Sequence, residues 1–411
     1  MSPGFAHFLS YGATDQQTAR RLAEHYDGLL IPGTIAAFQR AGTGGFVLTL
    51  SATSAAPKYM IDSRFPLFQQ ALRQPKKSHE SLAALLGVPE LIRDTDPAPE
   101  DFTDSRIETV AKSWVEFNSG YSGEARRNFE KYAKKLGEEI SPENRRGPHV
   151  ILAPYLIARS ESPLWWKKSG DLFERTRQFA GDQLVVRVVA SESIGLFEKN
   201  LADVNDSLVA IWVSGFNELE ADSQTLQRYA SAILSARNRQ VGTFALYGGF
   251  FSVLMAAVGL HGSSHGIGYG ESRSWVELPQ SGPPPARYYL PRAHRYVGQD
   301  LAYQIWARDR SLAECDCQVC GGRSPLSLEY GELMDHSVLS RAREIREWVP
   351  LGIAESANRL ESEHRMLSRG VAEMGLPTGI RNQAIRALSH LPVWVTALRH
   401  IGDDDEPVVA E

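Results

Sequence analysis

The chain has 411 residues, 43% hydrophobic and 23% charged, with a formal net charge of -5. This is ordinary globular composition, long enough for one barrel-sized domain with appendages or for two domains. It carries no global basic field, so any nucleic-acid contact has to rest on a local patch. All three cysteines fall between positions 315 and 320, which argues against a secreted disulfide framework and points to metal. No apolar run reaches the ~20 residues a bilayer span needs, and the N-terminal residues lack a charged segment before an apolar one. A cytoplasmic protein is expected.

Residues 7–12 read as a first strand, 15–28 as a short helix ended by Gly28, and 29–33 as a buried strand. FVLTLS (46–51) reads as another strand, and the strand from residue 58 ends at Asp62 and passes into a helix. Residues 75–147 are polar and helical, with amphipathic stretches at 106–120 and 124–140 and a basic cluster of Lys131, Lys134 and Lys135. From His149 the alternation resumes. Strands are expected at 149–158 (HVILAPYLIA), 184–191, 208–215, 241–249 and around 265–270, with helices between them. Strands every ~25–30 residues with intervening helices mean parallel βα units. Counting from the strand at 29–33, about eight are available, which predicts an α/β chain built as a (β/α)8 TIM barrel. The expected boundaries are barrel over 1–74 and 148–300, helical insertion over 75–147, a zinc-binding helical subdomain over 301–400 and an acidic tail over 401–411. Neither a GxGxxG helix opening nor a GxxxxGK[ST] loop is present.

Asp62 stands where α/β barrels place catalytic groups, although an aspartate there is also a helix cap. The Pro-rich connector 281–298 interleaves Arg287, Arg292, His294 and Arg295 with Tyr288, Tyr289 and Tyr296. That pattern suits a polyanion with stackable bases, and equally an ordinary exposed loop. CDCQVC offers Cys315, Cys317 and Cys320 to one metal ion, and tetrahedral zinc needs a fourth ligand, His336 or His364. Such a zinc is expected to be structural. After Val349 the chain reads as helical, with 381–400 as a last amphipathic helix; Arg381, Arg386 and Arg399 either contact phosphates or lie on a solvated face.

The order of these features resembles the tRNA-guanine transglycosylase family, the queuine/7-deazaguanine base-exchange enzymes, over residues 25–75 and 145–365. FALYGGFFSVLMAAVGLHGSSHGIGYGESR is similar to that family's strand, glycine turn, helix and active-site strand, and CxCxxC to its zinc motif. MIDSRFPLF resembles its Asp-Ser-Gly-Gly-Phe segment, which implies Asp62 as general acid/base. WVSGFNE resembles the strand end that holds the purine. The resemblance implies a barrel with a zinc subdomain that cleaves an N-glycosidic bond and inserts a 7-deazaguanine into DNA or tRNA. Its DNA-modifying branch is the nearest analogy. The candidate catalytic set is Asp62 as acid/base, with Ser264, His265 and Glu271 competing for the nucleophilic or stabilising role. The implied purine-binding set is Gly215, Asn217, Glu218, Tyr247, Gly248, Gly249, His261, Tyr269 and Arg273. Cys315, Cys317, Cys320 and His336 would hold Zn2+. DNA or tRNA and the 7-deazaguanine base are the expected partners, with no membrane, and with a homodimer or partner subunits of a modification system.

The sequence departs from the family pattern in three places. Ser264 stands where the family has a nucleophilic Asp, and a hydroxyl needs a base, from His261 or His265, before it can attack. Glu271, expected on the same strand, offers a displaced carboxylate. The strand that should read guanine with an Asp is ILAPYLIA, and ESANRL carries Ala357 where the family has its zinc histidine. An inactive barrel that binds nucleic acid or a nucleobase is therefore the alternative expectation. An unrelated barrel hydrolase using Asp62 and Glu271 leaves CxCxxC unexplained.

Overall fold

The structure is a computed structural model that describes residues 4–12, 14–51, 55–121, 147–276 and 286–405. Eight parallel strands form one sheet in the order β3-β2-β1-β8-β7-β6-β5-β4. They are β1 (Ala6–Ser10), β2 (Gly28–Pro32), β3 (Lys58–Asp62), β4 (Ile151–Leu152), β5 (Val185–Ser191), β6 (Leu208–Val213), β7 (Gly242–Ala245) and β8 (Leu260–Gly266). The His149 amide donates to the Tyr59 carbonyl at 2.9 Å, tying the approach to β4 back to β3. With helices between the strands, this is a (β/α)8 barrel. Strands such as LVAIWV are buried along nearly their whole length, because a parallel sheet is covered on both faces. Among the described residues, no helix is long and apolar enough to cross a membrane.

The chain divides into two compact units. One is Phe8–Gly215 with Arg273–Leu278; the other is Met1–His7, Phe216–Ser272 and Pro279–Glu411. The first holds β2 to β6. Phe65, Phe68, Phe102 and Trp165, all fully buried, meet edge to face around the turn that follows Asp62. Helix Asp104–Gly120, expected from its periodicity, docks on the barrel through Trp114, whose indole donates to the Leu152 carbonyl at 2.7 Å. The stretch 124–140 with Lys131, Lys134 and Lys135, and the last residues of the acidic tail, lie outside the described residues.

Several expected elements are corrected. FVLTLS is not a strand: residues Arg40–Ser51 form a helix. Thr43, Phe46, Val47 and Leu50 are buried at i, i+3, i+4 and i+7, and this helical stripe overrides the β-branched composition. The strand count survives because β1 takes the missing place. Gly28 does not end a helix; it opens β2, in register between Phe8 and Lys58. HVILAPYLIA gives only the two-residue β4. Pro154 has no N–H for a ladder, and the Gln69 side chain pairs with both the N–H (2.6 Å) and the C=O (3.1 Å) of Ile157.

In the second unit β8 ends at Gly266, so Glu271 lies beyond the strand, not on it. The connector 281–298 is neither an open loop nor a stacking surface over its described part. Arg287–Leu290 (β9) and Arg295–Gly298 (β10) form an antiparallel hairpin, with Tyr288, Tyr289 and His294 buried. The segment 381–400 is two helices, Thr378–Leu388 and His390–Asp405, parted at Ser389.

Candidate functional site

Asp62 is the last residue of β3 and is fully buried. Gly33, at the start of the next helix, leaves room beside it: a Cβ there would stand 2.8 Å from the Asp62 and Ser63 carbonyl oxygens. The Asp62 carboxylate accepts the Tyr155 hydroxyl at 2.8 Å and the Arg64 amide at 3.1 Å, and the Arg64 guanidinium lies 3.6 Å away. Arg64 holds φ at 56°, a left-handed conformation that costs a non-glycine residue and that here turns its side chain back over Asp62. Arg64, Tyr155, Trp212, Arg273 and Trp275 line a small pocket of about 10 Å³, room for one water-sized group. The segment bearing Arg273 is tied to the end of β6. The Arg273 carbonyl accepts from Gly215 (2.8 Å) and from the Trp212 indole (3.2 Å), and the Trp275 amide donates to the Ser214 hydroxyl (3.0 Å). Gly215 holds φ at 70° at that junction.

The second unit gathers the other candidates around the glycine turn after β7. Glu218 is buried and accepts the amides of Phe251 (2.9 Å) and Ser252 (3.2 Å) and the Ser252 hydroxyl. Burial nevertheless raises its pKa. A Cβ on Gly249 would stand 2.8 Å from a Glu218 carboxylate oxygen and 3.1 Å from one of Glu271, so any side chain there would press on both carboxylates. Gly248 is packed against Ser252 and Ser263 in the same way. Glu271 receives Arg341 at 2.6 Å, and burial pushes its pKa up to about 7 against the pull of that guanidinium.

Ser264 and His265 are adjacent on β8, so their side chains leave opposite faces of the sheet. The Ser264 hydroxyl donates to the Leu246 carbonyl. His265 Nδ1 bonds the Gly248 carbonyl at 3.0 Å, and its ring meets His7 edge to face. The arrangement therefore does not aim His265 at Ser264, and burial drives the imidazole pKa well down, which keeps it neutral. His261 is exposed near the N-terminal end of β8, away from the end where barrels build sites. Asn217 uses its side chain to accept the Leu219 amide at 3.1 Å in a local turn. Tyr247 and Tyr269 are half-buried beyond the ends of β7 and β8.

Cys315, Cys317, Cys320 and His336 come together as expected. All are buried, with ligand atoms within 4.8 Å of one another. His336 sits on helix Tyr330–Trp348, its Nδ1 at 3.2 Å from Cys320 Sγ and 3.7 Å from Cys317 Sγ. Its Nε2 donates to the Tyr289 carbonyl at 2.7 Å, which fixes the tautomer and leaves the Nδ1 lone pair facing the thiols. Gly321 and Gly322, both at positive φ, fold the loop back so that their amides bond the Cys317 and Cys315 carbonyls. His364, the other candidate ligand, stands apart from this group. The cluster could hold one metal ion, and three thiolates with an imidazole suit zinc.

Sequence reasoning missed Arg64, Tyr155, Trp212 and Trp275, and in the second unit Arg341 and Glu344; His294 was singled out, but as a cation of an exposed connector and not as a buried partner of Glu344. Trp212 and Tyr155 carried a signal, as polar-tipped aromatics at the ends of strand patterns. Arg341, 70 residues from Glu271 on a helix, carried none. No protein-family model and no curated protein matches this sequence.

Proposed function

We propose that the protein is a base-exchange enzyme of the guanine transglycosylase type, which removes guanine from DNA or tRNA and inserts a 7-deazaguanine. The observation that carries this reading is Asp62. It is a fully buried carboxylate at the C-terminal end of a barrel strand, held by Tyr155 and Arg64 beside a pocket rimmed by arginine and tryptophan. Base exchange breaks an N-glycosidic bond through an oxocarbenium-like centre. One carboxylate bonds to or shields the anomeric carbon, while another group protonates the departing guanine and later takes the proton of the incoming base. Asp62 is assigned the acid/base role. Glu271 is assigned the role facing the sugar, because Ser264 gives its proton to a carbonyl and has no base aimed at it from His265. Trp212 and Trp275 supply faces for a flipped base, and the closed pocket requires them to swing aside on binding. Zinc at the Cys3His cluster would be structural.

One observation favours a second reading, a barrel that binds nucleic acid without exchanging bases: β8 presents Ser264, not a carboxylate, and that serine is engaged by Leu246. Exchange of radiolabelled guanine and 7-deazaguanine into DNA and into tRNA, measured side by side, separates the two. Incorporation into either polymer is expected. Binding of a polymer with no incorporation, by folded metal-loaded protein, would overturn the enzyme in favour of the binding subunit.

A further inference from the structure

The second unit contains a continuous chain of charges, buried at Arg341, Glu344 and His294, that starts at the half-buried Glu271 and ends at a cleft. Arg341 donates to Glu271 at 2.6 Å and to Glu344 at 2.8 Å. Glu344 lies 2.6 Å from His294 Nδ1, and His294 Nε2 lies 2.8 Å from Glu363. The Tyr289 hydroxyl bridges both oxygens of Glu344 at 2.8 and 2.9 Å. The His294 ring is stacked on Phe250 at 3.7 Å and meets Trp348 edge to face at 5.1 Å. Glu363, with Glu344 and His294, opens onto a cleft of about 480 Å³ whose rim carries Arg343, Glu347 and Arg359.

Hydrogen-bond chemistry fixes the protons along this chain. An ionised carboxylate only accepts, so a histidine that bonds one carboxylate through each ring nitrogen must donate from both and is an imidazolium. Glu344 receives the Arg341 guanidinium and the Tyr289 hydroxyl, with His294 Nδ1 at 2.6 Å. Glu271, Glu344 and Glu363 then face three cations: Arg341, His294 and, at the cleft, Arg359, whose Nε lies 3.6 Å from Glu363. Among the described residues, Arg341 is the one cation at ion-pair distance from Glu271. Glu271 is thus the member whose charge depends most on where the guanidinium sits.

We propose that Arg341 is a positioning residue that sets the charge and aim of the Glu271 carboxylate, and that Glu344, His294 and Glu363 hold the guanidinium in place from the cleft. The proposal rests on the reading of Glu271 as the sugar-facing carboxylate. Glu271 also feels Glu218, Glu344, Tyr296 and Arg295, and His294 faces Glu344, Glu363 and the neighbouring His390. Burial raises the Glu271 carboxyl to about 7, and the two carboxylates beside His294 hold its imidazolium above the ordinary histidine range despite burial. Losing the His294 proton removes one donor from the pair formed by the buried Glu344 and the half-buried Glu363. The guanidinium then leans toward Glu344 and loosens its hold on Glu271.

The test uses full-length metal-loaded protein and two variants, Arg341→Lys in the core and Glu363→Gln at the cleft wall. Two pH profiles are read from 5 to 9: guanine exchange, and thermal stability relative to Glu271→Gln in the same background. The expected result is a shift of about one pH unit or more in the Glu271 step of both profiles for Arg341→Lys. A smaller shift in the same direction is expected for Glu363→Gln, with kcat falling at least tenfold in Arg341→Lys and KM for the polymer little changed. Unmoved midpoints in both variants overturn the relay even if exchange occurs. Moved stability midpoints in a protein that exchanges no base leave the relay standing and overturn the assignment of Glu271 to catalysis.

Discussion

The Nε2–H of His336 points at the Tyr289 carbonyl, 2.7 Å away, while Tyr288, the preceding residue of the same strand, stacks on the His336 ring at 4.4 Å. The imidazole is thus oriented from both its edge and its face before a metal arrives. Zinc should bind with near one-to-one stoichiometry, and Cys320→Ser or His336→Ala should lower metal content by at least half and the melting temperature by several degrees. Elemental analysis and thermal denaturation check this. Chelation of the wild-type protein should reproduce the stability loss, and a chelator without effect on melting would remove the structural role.

Asp62 and Tyr155 make a second testable pair. Asp62→Asn keeps the shape and an acceptor for the Tyr155 hydroxyl but cannot move a proton, so exchange should fall about 10²–10⁴-fold with the fold retained. Tyr155→Phe removes one hydrogen bond of about 1 kcal/mol and should cost roughly fivefold. Single-turnover exchange with saturating polymer reads both. Equal activity of Asp62→Asn and wild type would show that the proton is carried elsewhere.

The barrel was legible because parallel strands buried on both faces leave apolar runs that repeat with their helices, and because strand ends mark themselves by residues such as Asp62 and Gly215. The metal ligands were legible for a similar reason: their spacing is local, and only the choice between His336 and His364 waited on the fold. What failed was local pattern against tertiary context. Phe46, Val47 and Leu50 look like a strand until Thr43 completes a helical stripe, and ILAPYLIA looks like one until Gln69 takes the Ile157 backbone groups. The Glu271–Arg341 contact lay beyond reach because no periodicity links a turn residue to a helix 70 positions later.

Gly249 is a sharp probe of the carboxylate pair. Gly249→Ala would press a methyl against Glu218 and Glu271 at 2.8 and 3.1 Å, and the neighbouring helix Phe250–Leu254 leaves little slack. A loss of about 1–3 kcal/mol is expected. Combining it with Glu218→Ala should recover part of that loss, since the nearer oxygen is gone. Chemical denaturation of the four members of the cycle measures the coupling; additive losses would mean that the strain lies in the backbone and not between the methyl and the carboxylates.

The pH dependence of stability separates Glu271 from the rest of the molecule. Its pKa rises from an ordinary 4.5 in the unfolded chain to about 7 in the folded one. Below about pH 4.5 both states hold the proton and the group contributes no difference with pH. Between the two values the folded state keeps a proton that the unfolded chain has released, so stability falls as pH rises, and the fall ends above about 7. The loss is on the order of 3 kcal/mol, with the pull of Arg341 already contained in the folded value. Glu271→Gln keeps an oxygen for Arg341 and cannot ionise. Its melting temperature should match the wild type near pH 5 and exceed it at pH 8. His294, whose pKa is also raised, adds a fall of the same sign that persists in the variant, because its stabilisation is present at low pH and is lost as pH rises through its folded value. Parallel curves for the two proteins across this window would mean that Glu271 is already ionised at pH 5, held there by Arg341 against the cost of burial.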